Sequence, residues 1–315
     1  MSENNASGWE REVLEKVALA AVTEQRRARR WGIFFKFLIF AYLFIVLFIA
    51  MGWMGKKDGS RDKHTALVEI NGVIGPGTPA SADTVMQGLA DAFKDKRTQG
   101  IILRINSPGG SPVQSGYIND EIKRLRAKHP EIPLYAVVED VCASGGYYVA
   151  VAADKIYVNK ASMIGSIGVL MNGFGFTGTM EKLGVERRLL AAGENKGFLD
   201  PFSPMSDTQK VYAQKMLTEI HDQFIDVVRK GRGKRLKETP DMFSGLVWVG
   251  EKSIELGLAD AIGSMEQVAR DVIKAEEIVD FTPRENVAER FAKRFGAAAA
   301  ESLVRLGGTG VLTIR

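Results

Sequence analysis

The sequence has few of the residues on which metal, disulfide and histidine chemistry depend. It contains one cysteine, Cys142, and three histidines in 315 residues. One cysteine excludes an intrachain disulfide, and no C-x-x-C, H-E-x-x-H or P-loop pattern occurs. A G-x-G-x-x-G pattern over 173–178 lies too late in the chain for an opening βαβ unit, so we interpret it as turn glycines. We therefore expect no metal and no cofactor.

Charge of either sign is also limited. The net charge is +4, and the basic residues form no long run, so no nucleic-acid partner is indicated. Residues 37–54 (FLIFAYLFIVLFIAMGWM) lack charge altogether and could span a hydrocarbon core of ~30 Å. No small-residue cleavage site follows this run, so we expect a retained transmembrane anchor over 31–54 rather than a cleaved signal peptide.

The basic residues beside this run predict its orientation. Four arginines at 26, 27, 29 and 30 precede it, whereas the basic residues that follow are interspersed with acidic ones. The positive-inside rule then places the tail 1–30 in the cytoplasm and the rest of the chain outside.

Past a polar linker over 55–64, short β-rich runs alternate with helical stretches. We predict strands at 66–70, 101–105, 134–139 and 155–158, and helices at 83–94, 113–128, 144–153, 206–232 and 250–256. This alternation indicates an α/β domain with a mostly parallel sheet, which we expect over 65–280. The remainder, 281–315, has a helical pattern rich in Ala and Arg over 286–306.

Two glycine-bearing turns follow consecutive predicted strands. The first, N-S-P-G-G, includes Gly109 and Gly110, whose free N–H groups could stabilise an oxyanion. The second, C-A-S-G-G, includes Ser144 and Gly145. Each has an ordinary interpretation, since the first could be a simple strand-to-helix turn and Ser144 a helix N-cap. Because parallel strands end at one sheet edge, the pair favours a site with Ser144 as nucleophile.

A nucleophilic serine needs a base. We interpret His64, His129 and His221 as surface or packing residues, because none follows a predicted strand. That leaves a lysine, although only about one free lysine in 10³ is neutral at pH 7, so the site must remove water from the amine. Lys196 is flanked by Phe198, Leu199 and Phe202, but spacing alone does not favour it over the lysines at 155, 160 and 182.

At these residues the sequence resembles the short form of the bacterial signal peptide peptidase A family, the S49 Ser–Lys peptidases. The matching segments are RINSPGG (104–110), VCASGGYYVAVAADKIYVN (141–159), GSIGV (165–169), KLGV (182–185), AGENKG (192–197), VVRKGRGKR (227–235) and VWVGEKSIELGLADAIG (247–263). The resemblance implies a Clp/crotonase-like superhelix of βα units.

The resemblance also implies residue roles. Ser144 corresponds to the nucleophile, Lys196 to the general base and Ser166 to the hydroxyl that orients the lysine. Gly110 and Gly145 correspond to the oxyanion donors, with Gly109 as the rival to Gly110. Short-form members imply a homo-oligomeric ring in which the lysine comes from a neighbouring subunit.

The function implied is a membrane-bound serine endopeptidase that degrades signal-peptide remnants and other extended hydrophobic peptides. Together with the predicted orientation, the resemblance implies an anchor in the inner membrane of a bacterium and a catalytic domain in the periplasm. The substrate would bind as an added strand. A second interpretation is a non-catalytic membrane scaffold or an acyl-CoA-binding protein on the same fold, with the S-P-G-G turn holding a thioester carbonyl.

Overall fold

The computed structural model describes residues 6–50 and 62–284. The chain divides into two compact units, one of which comprises Ser60–Arg284. Most of the predicted linker and the predicted C-terminal helix over 286–306 lie outside the described residues. Helix α1 (Ala6–Ala50) belongs to the other unit. By length and composition its stretch 12–48 could cross a membrane, with a window of mean hydropathy 2.3 that is nowhere buried.

The larger unit is a mixed α/β domain, which confirms the predicted architecture of βα units. Its strands are β1 (His64–Asn71), β2 (Thr98–Ser107), β3 (Leu134–Ala143), β4 (Lys155–Val158), β5 (Met163–Gly165), β6 (Val247–Val249), β7 (Ala261–Ile262) and β8 (Ile278–Asp280). Its α-helices are α2 (Ala82–Lys94), α3 (Pro112–Lys128), α4 (Gly145–Ala150), α5 (Thr177–Lys182), α6 (Asp207–Arg232), α7 (Gly250–Glu255) and α8 (Met265–Gln267).

The strands form one sheet in which β6-β5-β3-β2-β1-β8 are successive neighbours and β7 joins through β4. Among the described strands, only β5 and β6 pair antiparallel. Strand β3 pairs with β4 through its first half and with β5 through its second half. Strands β1 to β4 therefore begin together at the edge marked by residues 64, 98, 134 and 155, which we call the amino edge. The opposite carboxyl edge carries both glycine-bearing turns.

Successive side chains along the strands point to opposite faces of the sheet, and apolar residues fill both faces, as a parallel sheet requires. On β2, Ile101, Leu103 and Ile105 pack in the larger core with α2, α3 and α4. Ile102 points to the other face, into a smaller cluster that includes Val137 of β3. Because both faces are filled, the strand ends and their turns are the part of the sheet that remains open to a ligand.

Local capping explains where the main helices begin. The Ser111 side chain accepts a hydrogen bond from the Gln114 N–H, and Pro112 occupies the first turn of α3. Ser206 and Gln209 form a capping box at the start of α6. Helix α3 consequently starts directly after the S-P-G-G turn, which fixes that turn between a buried strand and a capped helix.

Candidate active site

Ser144 occupies a strained position between β3 and α4. Its backbone has φ 52° and ψ −123°, a conformation that a residue with a Cβ rarely adopts and that costs about 1–3 kcal/mol. Although Ser144 is at the N-cap of α4, its side chain makes no capping hydrogen bond. The capping interpretation therefore does not account for this serine, whereas a nucleophile on a sharp strand-to-helix turn has this geometry.

The S-P-G-G turn lies directly against the Ser144 turn. A Cβ on Gly109 would lie 2.7 Å from the Ser144 Cβ and 2.7 Å from the Gly145 nitrogen, so only glycine fits there. The Gly109 N–H donates to the Ser107 Oγ at 3.1 Å. Its carbonyl accepts from the Ile74 N–H at 2.8 Å, which fixes the turn.

These bonds separate the two candidate oxyanion donors in the first turn. The N–H of Gly109 is already used, whereas the N–H of Gly110 has no acceptor in the described part of the chain. Gly145 begins α4, so its N–H has no intrahelical acceptor. The Gly110 nitrogen lies 3.2 Å from where a Cβ on Gly145 would be, so the two turns bring both donors together.

Ser166 lies in the turn that follows the neighbouring strand β5. Ala143 pairs with Gly165, so Ser144 and Ser166 follow adjacent strand positions, and the Ser144 N–H donates to the Gly165 carbonyl at 2.8 Å. Ser166 also has a positive φ, 50°, and its N–H donates to the Leu246 carbonyl at 2.7 Å. The structure thus brings two strained serines to one position on the carboxyl edge.

Lys196 belongs to a different segment from the two serine turns. It is exposed in the segment between α5 and α6, where its N–H donates to the Gly193 carbonyl at 3.0 Å. Among the described residues, no hydrogen bond joins its amine to Ser144 or Ser166. Within the described chain the candidate nucleophile and the candidate oxyanion donors therefore lie together, whereas the candidate base Lys196 is exposed and makes no side-chain hydrogen bond to them.

The cysteine and the histidines do not replace that base. Burial raises the pKa of the Cys142 thiol, so this cysteine stays protonated and unreactive. His64 is buried at the start of β1, His129 stacks on Phe93, and His221 bonds the Ile167 carbonyl at 3.1 Å through Nε2. The expectation that the histidines are packing or surface residues agrees with these contacts.

Sequence reasoning did not identify Ser115 of α3. Its buried Oγ has no hydrogen-bond partner in the described structure and lies 2.4 Å from where a Cβ on Gly145 would be. Buried hydroxyls usually have a hydrogen-bond partner, so this unpaired hydroxyl beside Gly145 is an exception next to the Ser144 turn. Ser115 lies four residues before the buried Asn119, and this spacing on a buried face of α3 was the one signal that could have indicated it.

A strained serine beside free backbone N–H groups at the end of a parallel strand is typical of α/β serine hydrolases. Residues 126–279 match peptidase family S49. A putative protease of Synechocystis sp. is 30% identical over 207 residues, covering 66% of this chain and 72% of that protein. A putative signal peptide peptidase SppA of Enterococcus faecium is 29% identical over 234 residues, covering 72% and 67%. The chain therefore belongs to peptidase family S49, which confirms the resemblance seen in its motifs.

A third relative, from Brucella melitensis, is named Na(+)/H(+) antiporter NhaA. It is 46% identical over 179 residues, which are 56% of this chain and 24% of that protein. The chain spans about a quarter of the length of this relative and of its counterpart in Brucella abortus. The antiporter name therefore describes those longer proteins and is not transferred to this chain.

Proposed function

We propose that this protein is a membrane-anchored serine endopeptidase in which Ser144 is the nucleophile and Lys196 the general base. The observation that carries this proposal is the strained backbone of Ser144, whose side chain is left free of any capping role. A conformation that costs stability persists where the surrounding structure holds it, and such positions cluster at active sites.

The chemistry follows from the positions of the donors. The Ser144 Oγ attacks the scissile carbonyl, and its proton passes to the neutral amine of Lys196. The N–H groups of Gly110 and Gly145 stabilise the oxyanion, and Ser166 orients the amine. The C–N bond then breaks as the lysine returns the proton to the leaving amine. Water hydrolyses the resulting acyl-enzyme by the same steps and regenerates the serine hydroxyl.

We infer that the lysine acts from a neighbouring subunit. The segment 169–205, which we call the arm, carries apolar side chains that are almost fully exposed, including Leu190 at 97% and Leu170 at 82%. The arm has internal contacts, such as the stacking of Phe176 on Phe202 and an Arg187–Asp200 ion pair. A second copy that covered the arm in a ring would bury these side chains and remove water from the Lys196 amine.

The proposed substrates are extended hydrophobic peptides such as signal-peptide remnants. The family, the name of the Enterococcus faecium relative and the membrane-spanning character of α1 support this class. Strand β6 lies at the end of the sheet beside β5 and the Ser166 turn. Its side chains Val247 and Val249 are exposed, so an extended peptide could pair there. The arginine cluster before the span supports a cytoplasmic N-terminus and a periplasmic domain.

Single substitutions in full-length protein test the dyad. Ser144→Ala and Lys196→Ala should each reduce cleavage of a hydrophobic peptide by at least about 10³-fold while the melting temperature changes little. Lys182→Ala, an exposed lysine in the same arm, is the matched control and should retain activity. Full activity of Lys196→Ala would contradict the Ser–Lys assignment.

Two further measurements test whether the lysine comes from a neighbouring subunit and whether the protein is catalytic at all. Mixed oligomers of Ser144→Ala and Lys196→Ala subunits should recover part of the activity if the lysine acts from a neighbour, and none if both groups come from one chain. A fluorophosphonate should label wild-type protein at Ser144. Measurable CoA binding with no Ser144 adduct would instead support the non-catalytic interpretation.

A further inference from the structure

The amino edge of the sheet carries a concentration of positive charge. Two hollows of ≈ 360 Å³ and ≈ 710 Å³ flank the second half of α3. Eight basic side chains line them against three acidic ones. The basic residues are Lys94, Lys96, Lys123, Arg124, Arg126, Lys128, Lys230 and Arg235, and the acidic ones are Asp95, Glu131 and Asp154. Eight basic against three acidic side chains leave an excess of five positive charges, which is more than the net charge of +4 of the whole chain.

Ion pairing at this edge leaves the lysines free. Arginines pair with two of the three acidic groups, Arg97 with Asp95 at 2.9 Å and Arg126 with Asp154, and the third, Glu131, lies 3.5 Å from the His129 ring. In the described part of the chain, none of the five lysines lining the hollows has a carboxylate within ion-pair distance. They are also exposed to solvent. The uncompensated charge is therefore carried by flexible ammonium groups at the surface.

A favourable interaction with helix dipoles accounts for the positions of only some of these lysines. Basic side chains in the last turn of a helix stabilise its carbonyl end, and Lys94, Lys128 and Lys230 occupy such positions. Lys96 lies beyond the C-cap of α2, and Lys123 lies before the last turn of α3. These two lysines add charge to the hollows without capping a helix.

The chain reaches this edge soon after the apolar run. Strand β1 begins at His64, whose N–H donates to the Arg97 carbonyl at 3.1 Å. Its neighbour in the sheet is Thr98, which lines the larger hollow. The uncharged run ends at 54, so about ten residues of chain separate it from the basic edge.

We propose that the amino edge docks on a membrane surface by binding the phosphate groups of anionic phospholipids. The proposal rests on the membrane anchoring proposed above and does not depend on the peptidase chemistry. Lysine ammonium groups suit this partner, because they bind phosphate oxygens as point charges without a fixed geometry. Each basic residue near an anionic surface contributes about fivefold to binding, so five lysines produce a substantial attraction.

Lysine acylation followed by mass spectrometry tests this docking on the full chain. The protein is placed in nanodiscs of phosphatidylcholine alone or with ~30% phosphatidylglycerol, at an ionic strength near 0.15 M. Lys94, Lys123 and Lys230 should be protected at least about threefold in the anionic discs, and ~1 M salt should remove the protection. Lys160 and Lys215, which lie away from the amino edge, are internal controls and should react equally in both discs.

A charge variant and a free anion complete the experiment. Lys123→Gln/Lys230→Gln should weaken docking about thirtyfold and expose Lys94, whereas Lys160→Gln/Lys215→Gln should not. Equal reactivity in both discs, or equal protection of the control lysines, would overturn the proposal. Protection by inorganic phosphate in neutral discs at matched ionic strength would also overturn it, since the site would then bind a free anion. Because activity is not measured, this result is independent of the Ser–Lys test.

Discussion

Gly109→Ala tests whether close packing of the two glycine turns produces the site. Gly109 has φ +103°, where an alanine is strained by about 1–3 kcal/mol. The new Cβ would also lie 2.7 Å from the Gly145 nitrogen and 2.8 Å from the Ala143 carbonyl oxygen. These are backbone atoms of the nucleophile turn, so no side-chain rotation can relieve the overlap. We expect the folded state to lose about 2–4 kcal/mol.

The loss of activity should exceed the loss of stability. To accommodate the Cβ, the Ser144 turn must move relative to Gly110, and displacement of a reacting group by about 1 Å costs roughly 100-fold in rate. We therefore expect kcat on a hydrophobic peptide to fall at least about 100-fold. A domain of this size should lose roughly 5–15 °C in melting temperature, and the rate should be measured well below that transition.

Gly116→Ala is the matched control, seven residues further along the chain. Gly116 lies inside α3, and an added Cβ there meets no atom within 4 Å. Alanine favours the helix by about 0.5–1 kcal/mol over glycine, so this variant should be as active as wild type and slightly more stable. If Gly109→Ala matched Gly116→Ala in both melting temperature and rate, the packing described for the two turns would be wrong.

Two further substitutions test buried polar groups. Ser115→Ala should raise the melting temperature or leave it unchanged, because it removes a buried hydroxyl without a partner in the described structure; a loss of several degrees would show that the hydroxyl is bonded. Asp260→Asn should destabilise the protein by about 3–5 kcal/mol in urea unfolding, because it leaves the buried Arg232 guanidinium without its carboxylate; a change below 1 kcal/mol would contradict this. Burial, the largest single effect, raises the pKa of Asp260, but the hydrogen bonds and charge of Arg232, the Ile156 N–H and the charge of Arg235 together outweigh it, and the net pKa is lowered from 3.8. The stabilisation is therefore present above pH ~4 and is lost as the pH falls through the folded-state value, a dependence that Asp260→Asn should remove.

The parts of the fold with strong local patterns could be predicted from sequence. The run IILRI at 101–105 is apolar except for Arg104 and contains three β-branched isoleucines, and it forms the centre of β2. The glycines at 109 and 145 indicated tight turns, and their positions after strands indicated one edge. Strands β5 to β8 have two or three residues each, too few for any periodicity to show, and their pairing is set by tertiary contacts.

The least predictable features depend on distant contacts. Ser166 has a positive φ, its N–H donates to the Leu246 carbonyl eighty residues later, and Gly165 lies against the Trp248 ring. Neither contact leaves a pattern near residue 166. Lys196 was assigned through resemblance, and it is exposed within the single chain. Sequence proximity to Phe198 and Leu199 did not mean that the lysine was buried.

The two edges of the sheet impose a geometric condition on the proposed substrate. Strand β2 runs from the basic amino edge at Thr98 to the site at Ser107, and nine steps of about 3.3 Å make this distance roughly 30 Å. If the amino edge lies on the membrane, Ser144 stands about that far from the headgroups. A hydrophobic segment still in the bilayer would then need about nine extended residues outside it to reach the serine. Segments already released from the bilayer need no such extension, so docking at the amino edge would favour released peptides over embedded ones.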